Sequence, residues 1–177
     1  MSENPSLWVQ RFAPLIKMGG AVLDLACGRG RHSLPLAACG FQVVALDRDA
    51  AALAAIAERA PGIATRQADL EGDAWPYRGR VFDGIVVTNY LHRPLLPEIF
   101  DALAEDGVLI YETFMLGNER FGKPSNPAFL LRPGELLELV RDRLTVVAFE
   151  QGEVDSPRPA AMQRLCATRR SEFLLPA

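Results

Sequence analysis

Residues 22–30, VLDLACGRG, combine one carboxylate with two closely spaced glycines. The apolar run predicts a strand that carries Asp24 near its end and passes into a turn through Gly28 and Gly30. Glycine permits positive φ angles and close approach of the backbone to a ligand. Free N–H groups at the start of a following helix favour an anionic group. The pattern indicates a nucleotide or nucleoside cofactor, although a tight strand–helix turn needs glycine for structural reasons as well.

A second carboxylate, Asp47, ends the next apolar run, 19 residues after Gly28. A carboxylate at the end of the second strand can accept hydrogen bonds from both ribose hydroxyls. Asp47 could instead cap the following helix, but Asp49 suits that position as well or better. The spacing therefore favours a ribose-binding role for Asp47.

A third acid, Asp69, ends a short strand and is followed by Leu70. Its carboxylate could accept a hydrogen bond from an adenine amino group while the leucine covers the ring. It could equally be a turn residue. Three acids at successive strand ends share one edge of a parallel sheet, and that edge binds the ligand in open α/β sheets.

Two observations separate the possible cofactors. A dinucleotide fingerprint requires a third glycine, and Ser33 occupies that position. Asp24 would also repel a pyrophosphate, whereas it suits the ammonium group of a bound amino acid. An NAD-dependent reductase is therefore disfavoured.

The elements that must position these residues alternate along the chain, which is typical of βαβ units and a mainly parallel sheet. Strands are predicted at 21–26, 41–47, 63–69, 81–89, 108–114, 144–154 and 160–169. Helices are predicted at 6–16, 33–38, 49–59, 95–104 and 134–142. The short turn between the last two strands permits only an antiparallel hairpin.

Five segments, in chain order, resemble the motifs of the class I S-adenosylmethionine-dependent methyltransferases: VLDLACGRG, ALDRD, ADLE, FDGIVVTNYL and EDGVLIYETF. The resemblance covers about residues 20–170. The run FLLRPGELLELV is most similar to small bacterial methyltransferases of the tellurite-resistance type. Two positions depart from the pattern: Ala26 replaces the first glycine of the motif, and Pro35 requires a helix that starts late, with Ser33 as its cap.

The resemblance implies an α/β, Rossmann-like, seven-stranded and mainly parallel sheet with helices on both faces and an antiparallel last strand. It implies S-adenosyl-L-methionine as cofactor. Gly28 and Gly30 would lie close to its methionine part, and Asp24 would face its ammonium group directly or through water. Asp47 would bind the ribose.

The same resemblance places further residues around the cofactor and the acceptor. Asp69 and the Leu70 amide would bind the adenine, and Asn89 would lie beside the sulfonium. Tyr90 and His92 would face the substrate, although Tyr90 could simply cover the sheet and His92 could cap a helix.

Residues 115–132 have no periodicity, and a loop of this length is usually functional or disordered. We expect a lid over the acceptor, with Arg120 and Phe121 as substrate-binding residues. A loop packed permanently on the sheet is the alternative. Glu112, at the end of the fifth strand, and His92 are the candidate general bases, needed only if the acceptor arrives protonated.

The amino-acid composition argues against several classes of protein. The 177 residues suit a single domain, 1–177, with an N-terminal helix in 1–19. A net charge of −3 argues against a general nucleic-acid binder. No apolar stretch approaches a membrane span or a secretory signal. Three cysteines without C-x-x-C spacing indicate neither a disulfide framework nor a metal site.

Taken together, these features predict a cytoplasmic methyltransferase, monomeric or homodimeric, that transfers a methyl group to a small molecule by in-line displacement. No nucleic-acid or membrane partner is expected. The alternatives are a non-catalytic S-adenosylmethionine- or nucleotide-binding module on the same fold, and the reductase.

Overall fold

Seven strands form one sheet in the computed structural model, which describes residues 4–176. The order across the sheet is β3-β2-β1-β4-β5-β7-β6. The strands are β1 Ala21–Leu25, β2 Gln42–Asp47, β3 Ala64–Gln67, β4 Phe82–Thr88, β5 Leu103–Phe114, β6 Thr145–Val154 and β7 Ala160–Thr168. The predicted Rossmann-like sheet is confirmed.

The last strand lies inside the sheet. β7 pairs antiparallel with both β5 and β6, whereas the pairings among β1 to β5 are parallel. The predicted hairpin is therefore correct. The predicted fifth strand starts too late, because Leu103 already pairs with Phe82. Residues 104–107 form an irregularity before pairing resumes at Val108.

Short helices connect the strands: α1 Leu7–Phe12, α2 Ser33–Ala38, α3 Ala50–Arg59, α4 Leu96–Asp101 and α5 Glu135–Val140. Asp49 caps α3 by accepting hydrogen bonds from the N–H groups of Ala51 and Ala52, as predicted. The expected cap of α2 is wrong by one residue. His32 occupies the cap position, and the Ser33 hydroxyl donates to Asp24 instead.

Both faces of the sheet are covered, since side chains alternate between the faces along each strand. Leu23 and Leu25 belong to one hydrophobic cluster, and Val22 belongs to the other. α1 covers the second face with Trp8 and Phe12, which are 5% and 1% exposed. The Trp8 indole donates a hydrogen bond to the Leu165 carbonyl at 3.3 Å. Within residues 4–176, no helix has the length and apolar character needed to cross a bilayer.

Candidate functional site

The carboxyl ends of β1, β2 and β4 lie together because these strands are parallel neighbours. Asp47 Oδ2 accepts a hydrogen bond from the Gly28 N–H at 2.8 Å, and Oδ1 accepts one from the Asp49 N–H at 2.9 Å. The acid that ends β2 is thus joined to the glycine turn that follows β1. Each carboxylate oxygen retains a lone pair for a ligand.

Asp24 is completely buried at the end of β1. The Ser33 hydroxyl donates to its Oδ2 at 2.5 Å, while Oδ1 is buried without a partner. Burial raises the pKa of Asp24 to about 6, although the Ser33 hydrogen bonds oppose that shift. A buried carboxylate oxygen without a donor fits a ligand that brings a cation or an N–H group.

The two glycines of the turn serve different purposes. Both have positive φ, +54° at Gly28 and +79° at Gly30. A Cβ at Gly28 would meet no atom within 4 Å, whereas a Cβ at Gly30 would lie 2.8 Å from Ile56. Gly30 therefore permits close packing of the turn on α3, and Gly28 leaves space beside Asp47. Ala26 also has a positive φ, of 54°.

His32 is a site residue that the sequence analysis missed. Its ring is 2% exposed; Nε2 accepts from the Ser6 N–H at 3.1 Å, and Nδ1 lies 3.3 Å from the Thr88 hydroxyl. Because Nε2 accepts, we assign the proton to Nδ1, which donates to Thr88. Burial lowers the pKa of His32 to about 3, so the ring is neutral. The histidine fastens the N-terminal segment to the end of β4.

Asp69 lies two residues beyond β3, at the same edge of the sheet. Its Oδ1 accepts from the Glu71 N–H at 3.1 Å, and its own N–H donates to Asp73 Oδ2 at 2.8 Å. The carboxylate is exposed, and Leu70 packs partly buried on the core below it. Asp69 thus forms a turn and also faces outward, where a ligand could reach it.

Two hydrogen bonds join the segment after β4 to β5. The Asn89 N–H donates to the Glu112 carbonyl, and the Tyr111 hydroxyl donates to the Tyr90 carbonyl, both at 2.9 Å. Asn89 has a positive φ of 55°. The Tyr90 hydroxyl is buried without a hydrogen-bond partner. Burial raises the pKa of Tyr90 above its usual range.

A pocket of about 190 Å³ opens beside this segment. Its walls come from the loop after β3, the segment after β4, the end of β5 and residues 124–129. The lining residues are Glu71, Asn89, Tyr90, Leu91, Thr113, Phe114, Pro124 and Phe129. The pocket is small and mostly apolar, and it shares Asn89 with the candidate cofactor site.

The two candidate bases lie outside this lining. His92 is partly buried and precedes the 3₁₀ turn Arg93–Leu95, without a side-chain capping bond. Glu112 is 4% exposed, and its carboxylate lies 3.4 Å from the Arg164 guanidinium. Arg164 also reaches Glu150 at 3.4 Å. The charge of Glu112 is therefore balanced by an arginine.

Arg120 and Phe121 also lie outside the pocket lining. The Arg120 guanidinium forms an exposed ion pair with Glu153 at 2.6 Å and lies 5.2 Å from the centroid of the Phe121 ring. Phe121 packs against the core of the sheet. The structure does not bring these two predicted acceptor contacts together with Tyr90 in one pocket.

Residues 115–132 are fixed at both ends. Near the start, Asn118 is buried; its Oδ1 accepts from the Ala161 N–H at 3.3 Å and its Nδ2 donates to the Pro124 carbonyl at 2.9 Å. Near the end, the Leu131 N–H donates to the Phe114 carbonyl at 3.0 Å. Most residues between 119 and 129 are exposed.

Arg93 holds the second end of this segment. Its guanidinium donates to the Ala128 and Leu130 carbonyls, at 2.8 and 2.9 Å, and binds both carboxylate oxygens of Glu135. Burial alone would raise the pKa of Glu135, but the hydrogen bonds from Arg93 and the Arg132 N–H lower it below its usual range. No metal-ligand cluster of three or more His, Cys, Asp or Glu occurs among residues 4–176.

Residues 22–107 match the family model described as "Methyltransferase domain". These residues contain β1 to β4, the glycine turn, Asp47 and the segment after β4. This stretch of 86 among the 177 residues is similar to methyltransferase domains. No curated protein matches its sequence.

Solved structures of methyltransferases share the fold of this chain at low sequence identity. TehB from Haemophilus influenzae is 21% identical with a TM-score of 0.75, over 92% of this chain and 61% of that one. A TehB-like SAM-dependent methyltransferase from Corynebacterium glutamicum is 20% identical with a TM-score of 0.68, over 92% and 87%. Coclaurine N-methyltransferase, bound to N-methylheliamine and SAH, is 20% identical with a TM-score of 0.65, over 83% and 49%. This chain thus spans about three fifths of the H. influenzae protein and about half of the coclaurine enzyme.

S-adenosyl-L-methionine is the cofactor of methyltransferases with this fold, and the residues of this chain fit it. The unpartnered Asp24 Oδ1 suits an ammonium group. The space at Gly28 allows a ligand to lie against the turn. Asp47 has carboxylate lone pairs beside that space for a pair of hydroxyls.

Proposed function

We propose that this protein is a methyltransferase that transfers the methyl group of S-adenosyl-L-methionine to a small-molecule acceptor by in-line displacement. The observation that carries the proposal is the hydrogen bond from the Gly28 N–H to Asp47, which brings the glycine turn and the ribose-type carboxylate together. When bound, the cofactor supplies a methyl group on a positively charged sulfur, which is a good leaving group.

The residues of the chain bind the cofactor and orient it toward the acceptor. Asp24 accepts from the ammonium group of the cofactor, and Asp47 accepts from its ribose hydroxyls. Asp69 and the Leu70 amide bind the adenine, and Asn89 lies between the cofactor and the pocket. Positioning contributes most of the rate acceleration, since orienting two reactants replaces a bimolecular encounter.

The acceptor enters the pocket beside Asn89, where Tyr90 contacts it. Three features support this position: the pocket adjoins the candidate cofactor site, its size suits a small molecule, and Pro124 and Phe129 from the predicted lid form part of its wall. The exposed part of the lid is residues 119–129, although Ala128 and Pro124 accept hydrogen bonds from Arg93 and Asn118. Amide exchange in 119–129 should slow when S-adenosylhomocysteine and an acceptor bind together; exchange that is already slow in the free protein would contradict a lid.

Asp47→Ala and Asp49→Ala make a matched pair of variants for testing the cofactor assignment. Asp47→Ala should weaken S-adenosylhomocysteine binding by about 1.5–3 kcal/mol, because charge-assisted hydrogen bonds are lost. Asp49→Ala should leave that affinity unchanged and cost about 1 kcal/mol of stability, because it removes the cap of α3. Calorimetry measures the affinities, and urea unfolding measures the stabilities.

The outcomes separate the alternatives. Equal affinities for the wild type and Asp47→Ala would remove the cofactor assignment. Tight binding of NADH in place of S-adenosylhomocysteine would favour the reductase. Binding of S-adenosylmethionine without methyl transfer to any component of a metabolite extract would favour the non-catalytic module.

A further inference from the structure

The chemistry of the pocket walls limits what the pocket can bind. One part of the wall is apolar, formed by Leu91, Phe114, Pro124 and Phe129. Among residues 4–176, the polar part has a single charged side chain, the Glu71 carboxylate, and no lysine or arginine lines the pocket. An anionic ligand would therefore meet a carboxylate without a compensating cation.

The nearby arginines of the lid and hairpin are already engaged. Arg120 is ion-paired with Glu153. Arg158 donates to the Lys123 carbonyl at 3.2 Å and packs over the Phe114 ring at 5.5 Å from its centroid. Neither side chain contributes to the pocket wall.

The Tyr90 hydroxyl adds a second, independent observation. Tyr90 lines the pocket with part of its side chain, and its buried hydroxyl oxygen has no hydrogen-bond partner. A buried hydroxyl without a partner destabilises the free protein, and a ligand that supplies a donor removes this penalty. After burial itself, the carboxylates of Glu71, Asp69 and Asp47 raise the pKa of Tyr90, and only Arg48 opposes them. The surroundings of this hydroxyl are thus electronegative.

We propose that the pocket takes a small apolar amine, with Glu71 and the Tyr90 hydroxyl contacting the amino nitrogen and Phe114 and Phe129 contacting the apolar body. This inference rests on the proposed methyltransferase function. An amine that arrives as an ammonium first releases one proton to Glu71 or water. The freed lone pair of the nitrogen forms the new N–C bond while the C–S bond breaks, and the bonding electrons remain on sulfur. The positively charged product nitrogen then releases a second proton to water.

The test uses three probes of similar shape: phenethylamine, 4-ethylphenol and 3-phenylpropanoate. Each is titrated into the full chain saturated with S-adenosylhomocysteine, at neutral pH, and binding is followed by protein NMR. We expect phenethylamine to bind at least fivefold more tightly than the phenol, and 3-phenylpropanoate to bind weakest. Glu71→Gln should weaken phenethylamine binding about fivefold and leave the phenol unchanged. Tyr90→Phe should weaken phenethylamine binding. Glu58→Gln, which changes an exposed carboxylate on α3 outside the pocket lining, is the control and should change neither affinity.

The inference is overturned if the carboxylate binds as tightly as the amine, if none of the probes binds the loaded protein, or if Glu71→Gln has no effect on the amine. These outcomes are distinct from failure of the proposed function. That failure would be seen in the first step of the experiment, as an absence of S-adenosylhomocysteine binding.

Discussion

Two groups of polar residues at the carboxyl edge of the sheet differ in how their hydrogen bonds are completed. In the cofactor region, defined by Asp24, residues 26–33, Asp47, Asn89 and Tyr90, one carboxylate oxygen and one hydroxyl are buried without partners. Four residues of that region, Ala26, Gly28, Gly30 and Asn89, have positive φ angles.

In the anchored region, defined by Arg93, Asn118, Glu135 and Gln163, the side chains find partners within the chain. Gln163 accepts from the Leu136 N–H and donates to the Arg132 carbonyl, and Asn118 uses both ends of its amide. Arg164 Nε, nearby, lacks a hydrogen bond but has Glu112 as ion-pair partner.

Buried polar groups thus have two different functions in this protein. Buried atoms without hydrogen-bond partners cost stability, so they persist where a ligand supplies the missing contacts. Fully paired networks hold elements in place and need no ligand. We therefore expect substitutions in the cofactor region to alter ligand affinity, and substitutions in the anchored region to alter stability.

The largest contrast is expected between Gly28→Val and Gly134→Val. Both glycines have positive φ, and a Cβ at either would meet no atom within 4 Å. Both variants should therefore lose about 1–2 kcal/mol of stability from left-handed strain. Only Gly28→Val should also lose more than about 100-fold in S-adenosylhomocysteine affinity, because the side chain fills the ligand space. Calorimetry and urea unfolding measure the two effects; normal binding by a folded Gly28→Val would make the turn purely structural.

The second contrast concerns the anchored region. Arg93→Met should lower the free energy of unfolding by about 2 kcal/mol, because it leaves the buried Glu135 carboxylate without its main partner. This value is below that for a fully buried pair, since the Arg93 side chain is 37% exposed. The affinity for S-adenosylhomocysteine should stay within about twofold of wild type. A stable variant with impaired cofactor binding would erase the distinction between the two regions.

A third prediction uses pH. The pKa of Asp24 is raised from 3.8 to about 6 in the folded protein, so its contribution to stability is full below pH 4 and is lost as the pH rises through 6. Burial favours the protonated form of Asp24, whereas cofactor binding favours the ionised form, because an ammonium group stabilises the carboxylate. The affinity for S-adenosylhomocysteine should therefore increase about tenfold between pH 5 and pH 7.

Asp24→Asn is the control for this pH effect. The variant should bind S-adenosylhomocysteine weakly, with no rise in affinity between pH 5 and pH 7. The free variant should be more stable than the wild type at neutral pH, because no charge is buried. A wild-type affinity that does not vary with pH would show that the ammonium group does not contact Asp24.

The smallest expected effect is that of Ala26→Gly. Ala26 has a φ of 54°, which costs about 1–2 kcal/mol for a residue with a Cβ. Glycine at this position removes that cost, but the greater entropy of glycine in the unfolded chain offsets about 0.5–1 kcal/mol of the gain. Thermal unfolding should show a net stabilisation of about 0.5 kcal/mol, whereas Ala45→Gly, in the centre of β2, should destabilise. A destabilised Ala26→Gly would mean that the backbone at this position is not strained.

The sequence alone was sufficient to predict the strands and the acidic residues that lie at the strand ends. Apolar runs that alternate with helical patterns predicted all seven strands, and the short 155–159 turn predicted the hairpin, because these signals are local. The acids at the strand ends were predictable for the same reason. Once the strands are parallel neighbours, Asp24 and Asp47 must share an edge.

What the sequence did not predict depends on contacts between distant residues. His32 binds a backbone N–H 26 positions earlier, and Arg93 binds a carboxylate 42 positions later. No local periodicity records such pairs. The sequence also failed to predict that Arg120 points toward Glu153 rather than into the pocket. In a segment without regular secondary structure, the neighbours in space decide where a side chain points, and the local sequence does not show them.

The position of β7 has a consequence for how the chain acquires its structure. β7 is the last strand along the chain, yet it occupies an interior place between β5 and β6. As the chain grows from the ribosome, β1 to β5 can pair as they emerge, but the β5 edge stays open until residues 160–168 are made. An exposed strand edge is a template for pairing with other chains, so this interval carries the greatest risk of aggregation during synthesis.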